Sequence, residues 1–148
     1  MIAIGSDHGG FALKTELIAW LEKNGFDYKD FGTYDEKSCD YPDYALPVAM
    51  AVAGGECRLG VLCCGTGIGI SIAANKVHGI RAALCADYFS AKYTRKHNDA
   101  NIICFGGRTI GAGLACELLD VFLHTEFEGG RHAARIKKIT DIENNSTH

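Results

Sequence analysis

The sequence lacks several features that define common protein classes. No apolar run approaches the roughly 18 residues that a membrane span needs. The chain opens directly on a predicted strand over 1–5, which leaves no room for a signal peptide. Its net charge of −3 gives no electrostatic reason to bind nucleic acid or an anionic membrane. We therefore expect a cytoplasmic protein that has neither as a partner.

Several catalytic and metal-binding motifs are missing as well. There is no Gly-Lys-Ser/Thr phosphate loop, no Gly-x-Ser-x-Gly nucleophile elbow and no cysteine with an arginine six residues later. The seven cysteines include no C-x-x-C pair, and the histidines and cysteines lack metal-ligand spacing. This pattern favours reduced thiols over a disulfide framework or a zinc site.

The sequence does contain short apolar strands that alternate with amphipathic helices. Apolar residues at helical spacing predict one helix around Leu13 to Leu21 and another around Leu114 to Phe122. A last helix is predicted over 131–143, after a Gly-Gly pair. The strand candidates are 1–5, 26–31, 59–64, 80–85 and 101–105.

Strict alternation of strands and helices predicts a parallel sheet with helices on both faces and right-handed crossovers. The runs 60–63 and 101–105 are apolar without alternation, as in strands that are covered on both faces. We predict one α/β domain over 1–143, a three-layer αβα Rossmann-like fold with a five-stranded parallel sheet in the order 2-1-3-4-5. Residues 144–148 are predicted to form a disordered tail.

The run from Gly60 to Gly69 joins a buried-looking strand to a glycine-rich turn. It places Cys64 at the carboxyl end of the strand, with a helix expected behind the turn. A helix N-terminus has unpaired N–H groups and a partial positive charge, which stabilise thiolates and anions. Strand alternation aims Cys64 away from Cys63, which we interpret as a small core residue. Cys64 is therefore a candidate nucleophile or general base beside an oxyanion cradle, to which Thr66 and Ser71 can add hydroxyl donors.

The same turn has two other interpretations. It is either a simple tight turn or the phosphate loop of a nucleotide-binding module. Ile70 stands where the Gly-x-Gly-x-x-Gly fingerprint requires glycine. Asp87, in contrast, follows the next strand at about the distance of a ribose-binding acid. A nucleotide interpretation leaves no second domain to hold a co-substrate.

Other polar residues are candidates for the same crevice, because ligands bind outside the carboxyl ends of the strands in such sheets. Asp7 and His8 can contact a sugar and a phosphate, or can be a helix cap and a satisfied histidine. His97 can serve acid–base chemistry or be a solvated residue at a helix end. Arg131 and Arg135 share a helix face and can bind one phosphate with two guanidinium groups, although a basic helix face is usually just solvated.

The chain resembles ribose-5-phosphate isomerase type B, of the RpiB/LacAB sugar-phosphate isomerase family, from residue 1 to about 143. The combination is far more specific than any single motif. The resemblance rests on Ser6-Asp7-His8-Gly9-Gly10, Asp40-Tyr41-Pro42, Cys64-Gly65-Thr66-Gly67, Ala73-Ala74-Asn75-Lys76, His97-Asn98-Asp99, Phe105-Gly106-Gly107-Arg108 and Glu128-Gly129-Gly130-Arg131-His132.

The resemblance implies a metal-free and cofactor-free interconversion of D-ribose 5-phosphate and D-ribulose 5-phosphate through a cis-enediolate, in the non-oxidative pentose phosphate pathway. Cys64 matches the base, Thr66 assists in the anion hole, and His97 matches the residue that opens the furanose ring. One branch of the family uses a glutamate as base where Ile70 stands, so the chain falls in the cysteine branch. The other matched positions bind substrate: Asp7, His8, Tyr41, Gly65, Gly67, Ile68, Gly69, Ser71, Asn98, Arg108, Arg131 and Arg135.

The resemblance also implies a homodimer with active sites at the subunit interface, or a tetramer of two such dimers. Three other functions stay open at this point. The first is an isomerase of the same fold for allose 6-phosphate or galactose 6-phosphate. The second is a non-catalytic nucleotide-binding module. The third is a thiol redox protein, which is disfavoured because neighbouring strand residues Cys63 and Cys64 face opposite ways.

Overall fold

A computed structural model describes residues 1–146, and residues 147–148 of the predicted tail lie outside the described residues. Strands and helices alternate as expected, and the last helix continues two residues past its predicted end. The elements are β1 (Ile2–Ser6), α1 (Phe11–Lys23), β2 (Tyr28–Asp30), α2 (Tyr41–Ala53), β3 (Leu59–Cys64), α3 (Ile68–Ala74), β4 (Ala82–Leu84), α4 (Tyr88–Asn98), β5 (Ile102–Gly106), α5 (Ala112–His124) and α6 (Arg131–Asn145).

All five strands are parallel, as predicted, but the predicted order 2-1-3-4-5 is wrong in its last two positions. The observed order is β2-β1-β3-β5-β4. β5 pairs with β3 from Gly60–Ile102 to Cys64–Gly106, and β4 pairs with the outer side of β5. The physical reason is burial. Every residue of β5 is buried, whereas β4 has three residues that are partly or fully exposed, and such a strand belongs at an edge.

Each face of the sheet has its own core. Helices α1, α4 and α5 cover one face, where Leu17 and Phe122 pack, and α2 and α3 cover the other, where Val48 and Ile70 pack. This is the predicted three-layer αβα arrangement. Cys63 belongs to the first core and Cys64 to the second, as the strand alternation predicted.

Helix α6 lies against α4 at the end of the described chain. Its apolar side chains Ile139 and Ile142 are 48% and 68% exposed. No helix within residues 1–146 combines the length and the apolar character that crossing a membrane requires.

Candidate active site

The loops that follow β1, β3 and β5 meet at the carboxyl edge of the sheet. The N–H of Asp7 donates to the carbonyl of Cys63 at 3.2 Å. The N–H groups of Gly107 and Arg108 donate to the carbonyls of Cys64 and Gly65 at 2.8 and 2.9 Å. Three of the polar clusters singled out in the sequence therefore share one crevice.

Glycine is required where these loops cross. A Cβ atom on Gly107 would lie 2.7 Å from the carbonyl oxygen of Gly9. A Cβ atom on Gly67 would lie 2.5 Å from Cδ1 of Leu84, and Gly67 has a φ of 78°, in the left-handed region. Only a residue without a side chain allows the backbone to turn this closely in front of α3.

Cys64 is the last residue of β3, at the point where these loops meet. The residue is 4% exposed, and the N–H of Gly67 donates to its Sγ atom at 3.1 Å. A backbone donor aimed at sulfur stabilises negative charge that develops there. Among residues 1–146 no N–H group donates to the thiol of the neighbouring Cys63, and burial raises the pKa of that thiol far above the ordinary range. Of the two adjacent cysteines, Cys64 has the surroundings of a reactive thiol.

Two side chains border the glycine turn. A Cβ atom on Gly69 would lie 2.7 Å from the ring of Tyr41, and one on Gly65 would lie 3.0 Å from Nη1 of Arg108. The crevice is therefore flanked by a phenol that can bind a hydroxyl group and by a guanidinium that attracts an anion.

Two hydroxyl groups of the turn make hydrogen bonds within it. The N–H of Ile68 donates to Oγ1 of Thr66 at 3.2 Å, so the hydroxyl hydrogen of Thr66 stays available for a ligand. Oγ of Ser71 donates to the carbonyl of Ile68 at 2.7 Å. In this geometry Ser71 can accept a hydrogen bond from a ligand but does not supply the donor expected from the sequence.

Asp7 and His8 each make a hydrogen bond to the backbone, and their contact with a ligand stays a prediction. Oδ1 of Asp7 accepts the N–H of Gly10 at 3.0 Å, immediately before α1 begins. Nδ1 of His8 lies 3.2 Å from both the backbone nitrogen and the carbonyl oxygen of Cys39, so it can accept a hydrogen bond from the one or donate to the other. Both side chains are locally anchored, and these contacts leave Nε2 of His8 for a ligand.

A second group of predicted residues lies at the opposite edge of the sheet. Helix α4 starts beyond the carboxyl end of β4 and runs back for 11 residues, or about 16 Å. At its end, the carbonyl of Asn98 accepts Nε of Arg81, the residue just before β4, at 2.9 Å. His97 is therefore near the amino edge of the sheet, away from Cys64.

The predicted site residues thus fall into two groups within one chain, and no hydrogen bond or ion pair between described residues joins them. The cysteine group holds Asp7, His8, Tyr41, Cys64, Gly65, Thr66, Gly67, Ile68, Gly69, Ser71 and Arg108. The histidine group holds His97 and Asn98 from α4 with Arg131 and Arg135 from the first turns of α6.

Asp87, the acid that supported a nucleotide interpretation, makes hydrogen bonds within the protein. Its carboxylate caps α4 by accepting the N–H and the hydroxyl of Ser90, each at 2.7 Å. These hydrogen bonds lower the pKa of the Asp87 carboxyl below its ordinary value. The structure therefore gives this residue a helix-capping role and not a ribose-binding one.

Comparison with known proteins identifies the family. A profile of the ribose/galactose isomerases matches residues 2–139. The chain belongs to the ribose/galactose isomerase family. It is 51% identical over 142 residues to the ribose-5-phosphate isomerase B of Escherichia coli (strain K12). The alignment covers 96% of this chain and 95% of the relative.

Other members of the ribose/galactose isomerase family show the same likeness. The structure of ribose-5-phosphate isomerase B from Clostridium thermocellum superposes with a TM-score of 0.97, at 53% identity over 99% of each chain. A relative from Pectobacterium atrosepticum, named D-erythrulose-4-phosphate isomerase, is 43% identical over 149 residues, or 99% of this chain and 97% of its own. These matches confirm the resemblance that the seven motifs indicated.

Two residues that contact the histidine group, Glu128 and His132, were not among the candidate site residues. The ring of His132 stacks on that of His97 at 4.0 Å between centroids, and Oε2 of Glu128 lies 3.9 Å from Nε2 of His97 and 3.7 Å from Nε2 of His132. The i, i+4 spacing of Glu128 and His132 was visible in the sequence. Their approach to His97 depends on the packing of α6 against α4.

This trio brings possible metal ligands together, which the sequence spacing did not predict. One ligand atom from each of His97, Glu128 and His132 lies within 4.8 Å of the others. The surroundings are cationic, however. Nζ of Lys96 donates to Glu128 at 3.0 Å, and Arg131 is the first residue of α6, next to His132. Such surroundings favour an anion over a dication, so the cluster fits acid–base and phosphate chemistry better than a metal.

Proposed function

We propose that the chain is an aldose–ketose isomerase that interconverts D-ribose 5-phosphate and D-ribulose 5-phosphate through a cis-enediolate. The observation that carries this proposal is the nearly buried Cys64 thiol, whose Sγ atom accepts a hydrogen bond from the N–H of Gly67 at 3.1 Å. The glycine turn that follows Cys64 offers further backbone N–H groups. Membership of the ribose/galactose isomerase family supports the substrate class.

The first chemical step is ring opening of the aldose. His97 donates a proton to the ring oxygen O4 as the C1–O4 bond breaks, and O1 loses its proton to solvent and becomes the carbonyl oxygen. An imidazole suits this role because it exchanges protons near neutral pH. The product is the open-chain aldehyde.

The second step is proton transfer between carbons. The Cys64 thiolate removes the proton from C2 and returns it to C1, while the proton on O2 passes to O1. Negative charge develops on oxygen in the enediolate, where backbone N–H groups of the turn and the free hydroxyl hydrogen of Thr66 stabilise it. One such donor contributes about 3 kcal/mol to a transition state.

Substrate binding uses both residue groups. Arg108, Arg131 and Arg135 supply guanidinium groups for the phosphate, and Nε2 of His8 is a further contact. Tyr41, Asp7 and Asn98 provide hydrogen-bonding groups for the sugar hydroxyls. Neither bound metal nor cofactor takes part in this scheme.

We infer that the site is completed by a second copy of the chain. Cys64 and His97 lie at opposite edges of one sheet, so a two-fold dimer is the simplest way to bring the histidine group of one subunit to the cysteine group of the other. Exposed apolar side chains offer surface for this contact. Ile68 and Ile72 on α3 are 52% and 56% exposed, and Ile142 on α6 is 68% exposed.

The proposal is tested by ketose formation from ribose 5-phosphate in excess EDTA. The wild-type protein should turn over, and Cys64→Ala should keep its fold by circular dichroism and lose turnover at least about 1,000-fold, as expected for removal of a base. Cys116→Ala, a change at a remote half-buried cysteine, should leave turnover unchanged. Substantial turnover by Cys64→Ala would contradict the assignment of the base.

A second candidate substrate is a four-carbon sugar phosphate, because the Pectobacterium relative is named for erythrulose 4-phosphate. The same assay should compare kcat/KM for ribose 5-phosphate, erythrose 4-phosphate and allose 6-phosphate. A higher value for one of the latter two would move the assignment to that sugar.

A further inference from the structure

The His97 ring is held on several sides. It lies in the last turn of α4 with 35% of its side chain exposed. The Tyr93 ring, one turn earlier, meets it edge-on at 4.8 Å, and the His132 ring stacks on it at 4.0 Å with an angle of 11° between the planes. A half-exposed histidine at a helix end is ordinarily free to change rotamer, so this packing restricts it to one orientation.

The Glu128 carboxylate is fixed beside that ring. Its Oε1 accepts Nζ of Lys96 at 3.0 Å, and its backbone N–H donates to the carbonyl of Lys96 at 3.1 Å. The ion pair lowers the pKa of the Glu128 carboxyl, so the group is ionised at neutral pH. Its Oε2 lies 3.9 Å from Nε2 of His97, which is too long for a direct hydrogen bond but short enough for charge stabilisation or a water bridge.

His132 is the unusual member of this cluster. The residue is 4% exposed, and its Nε2 is buried without a hydrogen-bond partner among residues 1–146. A buried polar atom left unpaired is rare in native folds and needs an explanation. Burial and the charges of His97 and Arg131 lower the pKa of the His132 ring. A neutral His132 can stack on a protonated His97 without like-charge repulsion.

We propose that Glu128 and His132 are positioning residues for the proton transfer of His97. Glu128 orients Nε2 of His97 and stabilises the imidazolium, and His132 supplies the neutral ring on which that imidazolium stacks. This inference rests on the proposed function, in which His97 opens the sugar ring. It assigns Glu128 and His132 to the ring-opening step and not to the proton transfer at carbon.

Substrate chemistry separates the two steps. Ribose 5-phosphate is mostly a closed furanose and needs ring opening before isomerisation. Ribulose 5-phosphate carries its phosphate on O5 and cannot form the five-membered ring. Exchange of a C1 proton of ribulose 5-phosphate with solvent deuterium therefore requires Cys64 and no ring opening.

The experiment measures both reactions in excess EDTA for Glu128→Gln, His132→Ala and His132→Phe. Glu128→Gln and His132→Ala should lower kcat on ribose 5-phosphate by at least about tenfold, with deuterium exchange and KM within about twofold of wild type. His132→Phe keeps a stacked ring and should recover most of the turnover lost in His132→Ala. Retained exchange also shows that each variant is folded.

The matched control is Asp120→Asn. Asp120 lies 3.1 Å from Nδ1 of His124 in an exposed i, i+4 pair on α5, and both reactions should stay unchanged. Equal losses in turnover and exchange would show a structural role and overturn the inference. So would full turnover in Glu128→Gln and His132→Ala. A wild-type protein that catalyses neither reaction would instead overturn the proposed function, and this inference with it.

Discussion

At the scale of single residues, Lys14 shows how a buried charge supports the site. Its side chain is 1% exposed, and Nζ donates to both carboxylate oxygens of Asp30, at 2.7 and 2.9 Å, and to the carbonyl of Thr33 at 2.6 Å. The N–H of Thr33 donates in turn to the carbonyl of Ser6 at 2.7 Å. The buried ammonium therefore braces the end of β1, one residue before Asp7.

Replacing Lys14 tests this bracing. Lys14→Met removes the ammonium that pairs with the Asp30 carboxylate and donates to the Thr33 carbonyl, and should lower the free energy of unfolding by about 3 kcal/mol. Urea unfolding measures the change. Lys29→Met is the control, because Lys29 and Glu56 form an ion pair at 2.6 Å in which both side chains are about half exposed, and its loss should change stability little. Equal effects of the two substitutions would contradict a special role for the buried pair.

At the scale of elements, helix α4 determines where His97 lies. The Asp87 carboxylate caps its first turn. Its last turn ends at Asp99, which has a φ of 43°, and this left-handed residue is held by Arg95 at 2.8 Å and Arg81 at 3.2 Å. Both ends of the helix are tied down, so the histidine group at its end has a defined place.

The cap of α4 gives a prediction with a pH dependence. Asp87→Ala should lower the melting temperature by about 2–4 °C at pH 7. The hydrogen bonds to Ser90 lower the pKa of Asp87 below 3.8, so its stabilisation is present above that pH and is lost as the pH falls through the lowered pKa. The difference between wild type and variant should therefore shrink below pH 4. Thermal melts across this range check it, and a difference that stays constant would rule out the ionised cap.

At the scale of the whole molecule, the proposed reaction needs both residue groups in one site, and we propose that a second chain brings them together. A two-fold dimer would contain two sites, each with the cysteine group of one subunit and the histidine group of the other. Variants in different groups then damage different halves of each site.

Mixing inactive variants tests this arrangement. Cys64→Ala and His97→Gln should each be inactive as homodimers, and exchange of their subunits should restore about a quarter of wild-type activity, because half of the dimers are mixed and each has one intact site. A mixture of Cys64→Ala with Arg108→Ala is the control. Both changes lie in the cysteine group, so every site stays damaged. No recovery in the first mixture, with mixed dimers seen by native mass spectrometry, would contradict the shared site.

Local sequence patterns determined much of this protein. The alternation of strands and helices, the three layers and the opposite orientation of Cys63 and Cys64 follow from side-chain periodicity, which acts between neighbours in the chain. The glycine turn after Cys64 was recognisable for the same reason, because close backbone turns require residues without a Cβ atom.

Only the tertiary structure decided how these parts meet. The order of β4 and β5 depends on which strand gains more by being buried on both faces, and β5 displaces β4 to the edge. The separation of Cys64 from His97 follows from the return path of α4 along the sheet. The approach of Glu128 and His132 to His97 comes from the packing of α6 against α4. These features depend on competition between distant segments for the same buried surface, which no local spacing encodes.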